Sequence, residues 1–331
     1  IKSLKKKVLF MKIKPILIVA GEPNSIFLEI FFKTIKKKKI NNPIILIVSK
    51  ELFFKQMKLL GFNYKIKLIN EKNINLKQID NKKINIIDVK YRFKSAFEEI
   101  TDKSNKYLTK CFSIALQLLK KKYFLGLING PISKKNFLKQ KYLGITEYLA
   151  VNTKRENKVA MLIYNKKLSV SPLTTHLPLK LVPSMITKKK IINHVILINR
   201  FYKKELKKKP KIAITGLNPH CESNYKSSEE KKIIIPAIKF LNKRNIKIQG
   251  PFAADTIFLK EQSNKYDVII GMYHDQVLTP IKTLFGFEAI NITLGLPFIR
   301  ISPDHGPNVS MLGKNKSNPE SLIQAIKFLN K

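Results

Sequence analysis

Cysteine is nearly absent: Cys111 and Cys221 are the only two in 331 residues. Two cysteines cannot build a disulfide framework, and these show no metal-site pairing. That fits a reducing compartment. No uncharged apolar run approaches the ~18 to 20 residues of a membrane span. Neither GxGxxG nor GxxxxGKS/T occurs, so the standard Rossmann fingerprint and the P-loop are both missing. No internal repeat and no long disordered linker is found. Acidic residues are scarce, 22 Asp and Glu against 64 Lys and Arg, a formal charge of +42.

Such a charge suits a nucleic-acid or anionic-membrane binder. No RNA- or DNA-binding motif accompanies it, however, and no aromatics are interleaved with it in a repeating way. Lysine is spread through ordinary amphipathic segments such as "KKKIINHVILINRFYKKELKKK" (188–209). Net charge speaks to non-specific binding, not to fold or chemistry. Compositional drift is the better account, and no specific nucleic acid or membrane partner is expected. Lysine runs at 36–39 and 207–209 read as solvated helix ends or loops.

The chain opens at Ile1, and Met11 follows ten residues later. Residues 1–10 read as an alternative start or an N-terminal extension upstream of Met11. Lys12 and Lys14 interrupt the apolar run, and no small-residue cleavage site is evident, so a signal peptide is not expected. The expected location is cytoplasmic.

What is present is a series of short, β-branched apolar runs: 16–20, 43–49, 84–89, 123–128, 159–164, 168–173, 211–217, 246–250, 267–272 and 289–295. Several are continuous, as in a sheet covered on both faces. Helical patterns lie between many of them. In "SNPESLIQAIKFLN" (317–330), Asn318 or Ser317 can cap and Pro319 suits the first turn. Leu322, Ile323, Ile326 and Leu329 share a face. Alternating strands and helices predict an α/β fold.

Polar signals follow the strands: "GEP", "NGPIS", "TTHLPL", "NPHCES" and "YHDQ". Ligand sites of open α/β sheets collect at the carboxyl ends of strands. Of five histidines, His176, His220 and His274 each sit just past a strand, while His194 lies mid-helix as a surface or packing residue. Three imidazoles from three loops suit one divalent ion with an open position. Either Asp255 or Asp275 could orient an imidazole or act as an acid or base. Lys282 and Arg300 suit a carboxylate or phosphate. The residues alone point to a metal-dependent α/β enzyme acting on a small anion.

"TTHLPL", "GLNPH", "GPFAADTIF", "MYHDQ" and "NITLGLPFIRISPDHG" closely resemble the 4-hydroxythreonine-4-phosphate dehydrogenase family of pyridoxal phosphate biosynthesis. The match runs in order from "AGEP" (20–23) to the last helix. The resemblance implies a two-domain fold like isocitrate and isopropylmalate dehydrogenases, with the active site in a cleft between domains. The first domain is expected over 11–130 plus 297–331. The second, over 131–296, would carry the metal ligands and the dimer interface. The resemblance further implies a homodimer whose metal site, made by His176, His220 and His274, is shared between subunits. The ion could be zinc, magnesium or cobalt. Thr146, Lys282, Asn291 and Arg300 match substrate contacts. Lys282 is a candidate proton donor or acceptor, and Asp255 a candidate acid, base or imidazole support. NAD, or NADP, is the implied oxidant of 4-phosphooxy-L-threonine, whose β-keto acid product loses CO2; no cofactor-binding residue is assigned.

Two stretches depart from the family. "GITE" (144–147) carries Ile145 where the family usually has a histidine that contacts substrate. "GEPNSIFLE" (21–29) stands for a Gly-rich "GDPAGIGPE", with Phe27 and Leu28 replacing small or turn-forming residues. Ile145 keeps open an enzyme acting on phospho-threonate or phospho-erythronate. A non-catalytic basic nucleic-acid binder is the more distant alternative.

Overall fold

The computed structural model describes residues 14–76, 79–133, 142, 144–221, 227–303 and 306–330. The expected extension at 1–10, and His305, lie outside them. In chain order the elements are β1 (Ile16–Val19), α1 (Phe27–Lys37), β2 (Ile44–Val48), α2 (Lys50–Leu59), β3 (Ile66–Leu68), β4 (Ile84–Asp88), α3 (Ser104–Lys120) and β5 (Leu127–Asn129). Then come α4 (Ile145–Asn152), β6 (Ala160–Tyr164), β7 (Ser169–Pro172), α5 (Lys188–Glu205), β8 (Ile212–Thr215), α6 (Ile235–Asn242), β9 (Ile248–Phe252) and β10 (Val268–Gly271). Last are α7 (His274–Phe285), β11 (Ile290–Leu294), β12 (Arg300–Pro303) and α8 (Glu320–Leu329), with shorter helical turns between some of these. The chain is mixed α/β, as its alternating pattern predicts.

Two compact units divide it, Ile1–Tyr148 with Phe298–Lys331, and Leu149–Pro297. In the first, the strands lie in the order β3-β4-β2-β1-β5-β12 and all pairs are parallel. Leu17 stands opposite Ile45 on one side and Leu127 on the other. β1 and β2 are buried along their whole length, which their uninterrupted apolar runs require. Phe32 of α1 is sealed and meets Phe53 of α2 edge to face, 5.0 Å between centroids. The loops after β1 and β5 touch. A Cβ on Gly130 would lie 2.1 Å from the Ala20 carbonyl, and one on Gly21, at φ +82°, 2.4 Å from that of Pro131. Only glycine fits this backbone approach. In α8, Leu322, Ile323, Ile326 and Leu329 are buried together, and Asn318 Oδ1 accepts from Glu320 N at 2.9 Å.

In the second unit the order is β11-β6-β7-β10-β8-β9. β6 is antiparallel to both β11 and β7. β7, β10, β8 and β9 run parallel. Val170, Ala213 and Ile269 from these strands pack with Val277 and Ile281 of α7 in one core. Thr187 caps α5, its hydroxyl accepting from Lys190 N at 3.1 Å. His194 proves to be a packing residue: it is buried, with Nε2 2.6 Å from Ser171 Oγ. Lysines 36–39 and 207–209 are exposed. No described helix is long and apolar enough to cross a membrane.

Candidate active site

Strands β7, β10 and β8 are neighbours and run parallel, so the loops that follow them leave from one edge of the second unit. Each loop carries one of the three expected histidines. His176 follows β7, His220 follows β8, and His274, after β10, is the first residue of α7. His176 and His220 take φ of +50° and +56°. This left-handed conformation is uncommon outside glycine and persists where the surroundings hold it.

The rings of His176 and His274 lie together, 5.7 Å between centroids. His274 Nδ1 is 2.6 Å from Asp275 Oδ1, which leaves Nε2 for another partner. His220 stands with Asp255, which lies three residues beyond β9; Nδ1 and Oδ2 are 3.7 Å apart and both side chains are more than half exposed. Among the described residues of one chain, no three His, Cys, Asp or Glu side chains form a metal-holding group. The chain thus brings two imidazoles together and sets the third beside a carboxylate.

The expected substrate residues fall in both units. Lys282 is on the exposed side of α7. Asn291 is on β11 opposite Ile163, and its buried Oδ1 has no hydrogen-bond partner among the described residues. In the first unit, Arg300 begins β12 and is fully buried. Its Nε donates to Asn129 Oδ1 at 2.7 Å, and Nη1 to Thr146 Oγ1 at 3.4 Å. Burial lowers the guanidinium pKa to about 10, and the negative charge of Glu147 opposes that fall. Arg300 therefore stays charged at neutral pH. Asn129 Nδ2 donates to the Gly130 carbonyl at 2.9 Å, which turns Oδ1 toward the arginine. Neither Asn129 nor Glu147 was expected at the site, although "NGP" and "GITE" had placed both beside it.

The altered loop after β1 is also built. Ser104 Oγ donates to the buried Glu22 Oε2 at 3.0 Å, and burial pushes this carboxyl up to about 7. The ring of Phe27 packs on Gly130, where an added Cβ would meet it at 2.7 Å. Glu29 Oε1 accepts from Lys33 Nζ at 2.8 Å and from Ser317 N at 2.6 Å, tying α1 to the segment before α8. Ile145, half-buried, opens α4 and offers no side-chain donor. Neither cysteine is in a disulfide, and burial raises the Cys111 thiol to about 12, which makes it unreactive.

The family described as "Pyridoxal phosphate biosynthetic protein PdxA" matches residues 39–329. The chain belongs to this family. It is 41% identical over 316 residues to the 4-hydroxythreonine-4-phosphate dehydrogenase of Sulfurihydrogenibium sp. (strain YO3AOP1), covering 94% of this chain and 96% of that protein. It is also 41% identical over 209 residues to the Aquifex aeolicus (strain VF5) protein of the same name, 62% of this chain and 64% of that one. The crystal structure of 4-hydroxythreonine-4-phosphate dehydrogenase from Klebsiella pneumoniae aligns with a TM-score of 0.82 at 26% identity, over 96% of this chain and 98% of that one. This PdxA-family chain thus shares fold and nearly full length with dehydrogenases, oxidoreductases that use a nicotinamide cofactor.

Proposed function

We propose that the chain oxidises the C3 hydroxyl of 4-phosphooxy-L-threonine with NAD. The product, 2-amino-3-oxo-4-phosphooxybutanoate, loses CO2 to give 3-amino-2-oxopropyl phosphate on the route to pyridoxal 5'-phosphate. The observation that carries this reading is the 41% identity to the Sulfurihydrogenibium enzyme across 94% of this chain and 96% of that one.

His176, His220 and His274 would hold one divalent ion, with zinc, cobalt and magnesium as candidates. The geometry fits. With metal–nitrogen bonds of about 2 Å, two imidazoles on one ion put their ring centres roughly 5 to 6 Å apart. The His176 and His274 rings are 5.7 Å apart. Bound there, the ion would supply Lewis acidity toward the substrate hydroxyl and carbonyl oxygens, while the nicotinamide cofactor takes the hydride. A homodimer sharing this site between subunits is part of the reading. Exposed Leu179, Leu181 and Met185, shortly after His176, are apolar surface that a second copy could cover.

The remaining chemistry falls to the chain's own side chains. Arg300 and Lys282 supply positive charge for the substrate phosphate and carboxylate. Thr146 adds a hydroxyl, and Asn291 Oδ1 offers an acceptor. Asp255 holds His220 or moves a proton, and Lys282 Nζ is the second proton donor or acceptor.

Ile145 favours a second reading, a dehydrogenase of phospho-threonate or phospho-erythronate, since a hydrogen-bond donor to substrate is missing there. The test compares kcat/KM for the three substrates with NAD and with NADP. The highest value for 4-phosphooxy-L-threonine supports the first reading. A preference for either four-carbon acid lacking the amino group moves the protein to the second.

A further inference from the structure

Hydrogen bonds lace the three histidine loops together, two of them through one side chain and the third through the Met272 carbonyl. Gln276, two residues past His274, is buried. Its Oε1 accepts from Met272 N at 2.6 Å and from Thr215 Oγ1 at 2.8 Å. Its Nε2 donates to the Gly216 carbonyl at 2.9 Å. The amide thus joins the end of β10, two residues before His274, to the end of β8, four residues before His220. Met272 also faces the third loop: its carbonyl accepts from Thr174 Oγ1 at 2.7 Å and Thr174 N at 3.2 Å. Thr174 is two residues before His176. Gly271 leaves room for the amide, since a Cβ there would meet Val277 at 2.5 Å and Gln276 Oε1 at 3.1 Å.

A second brace fixes the His220 turn. Glu230, buried, accepts from Leu217 N at 2.8 Å and Asn218 N at 3.0 Å through Oε1, and from Asn218 Nδ2 at 2.9 Å through Oε2. These are the residues that lead into the left-handed backbone of His220. A conformation of that kind needs surroundings that hold it.

We infer that Gln276 and Glu230 are positioning residues for the metal-binding imidazoles, fixing the three loops so that the ligands are set before the ion arrives. The inference rests on the three-histidine reading of the metal site. Gln276 suits the task by chemistry: an amide accepts two bonds and donates the third. Leucine there would leave Met272 N, Thr215 Oγ1 and Gly216 O without this partner in a buried place. A carboxylate would set an acceptor against the Gly216 carbonyl.

The experiment measures Zn2+ affinity of the full chain by chelator competition, and the visible spectrum of the Co2+-loaded protein. Gln276→Leu and Glu230→Gln are compared with His274→Ala and Tyr202→Phe. Removing partners that orient metal ligands weakens metal binding about 10- to 100-fold. That loss, with a changed Co2+ spectrum, is expected for Gln276→Leu and, to a smaller degree, for Glu230→Gln. Tyr202→Phe removes a buried bond to Ser169 Oγ, 2.9 Å, elsewhere in the unit. It should lower the Tm and leave affinity and spectrum unchanged. Should Gln276→Leu not fold, Glu230→Gln decides alone. Wild-type affinity and spectrum in the folded brace variants, with binding lost in His274→Ala, would overturn the inference and spare the metal site. Wild-type binding in His274→Ala would overturn both.

Discussion

Arg300 Nε donates to Asn129 Oδ1 at 2.7 Å, with both side chains sealed from solvent. A charged group of this size is rarely buried without partners. Here the neighbouring parallel strands β5 and β12 supply one, and the Thr146 and Glu147 pair of α4 the rest of its setting.

Arg300→Lys keeps the charge and loses the fork that reaches Asn129 and Thr146 together. The KM for the phosphorylated substrate should rise at least about 10-fold, given 1.5–3 kcal/mol for a hydrogen bond to a charged group. Asn129→Leu should lower stability by about 1–3 kcal/mol through an unpaired buried donor. Steady-state kinetics and denaturant unfolding check the two values. An unchanged KM in Arg300→Lys would remove Arg300 from the substrate site.

Ile145→His restores a donor at the start of α4. The expected result is a KM for 4-phosphooxy-L-threonine lower by about 10-fold, the same hydrogen-bond energy read in reverse. Kinetics of the single variant test it. A higher KM would show that the isoleucine side chain itself is needed there.

Glu22 makes stability fall as pH rises. Its folded pKa is about 7 against an ordinary 4.5, because burial favours the protonated acid. The folded state keeps a proton that the unfolded state releases. The stabilisation is full below 4.5 and is lost as pH climbs to 7, up to about 3 kcal/mol from a shift of this size. Unfolding free energies of wild type and Glu22→Gln, compared across that window, should diverge by this amount. Parallel curves would contradict it.

His194 acts in the opposite direction. Burial, with Lys190 nearby, depresses its pKa from 6.5 to about 4. Ser171 Oγ donates its single hydrogen to the Met161 carbonyl at 2.5 Å, so His194 Nε2 carries the proton of a neutral ring. Stability is present above 6.5 and is lost as pH falls toward 4, by up to about 3 kcal/mol. His194→Gln should flatten this acid limb in the same unfolding measurement, and a wild-type slope in the variant would refute the assignment.

Much of this was legible in the sequence, for reasons particular to each element. β1, β2 and β10 are unbroken apolar runs because both faces are covered. β3, with Lys67 at its centre and little burial, and β12, which starts at Arg300 and ends at Pro303, fail that test and were not expected. The run at 123–128 includes the exposed Tyr123, and β5 forms only from Leu127. The histidines could be found because each follows its own strand. Asn129, Glu147, Gln276 and Glu230 could not be assigned that way. Their partners are set by which strands lie side by side, and the order β7-β10-β8 is not written in any local pattern.

The most direct test is NADH formation by the purified chain from 4-phosphooxy-L-threonine and NAD, with and without a chelator. Turnover that stops on chelation and returns with added zinc, cobalt or magnesium is the predicted result. Failure to oxidise this substrate or its phospho-threonate and phospho-erythronate analogues, in protein with metal bound, would contradict the account.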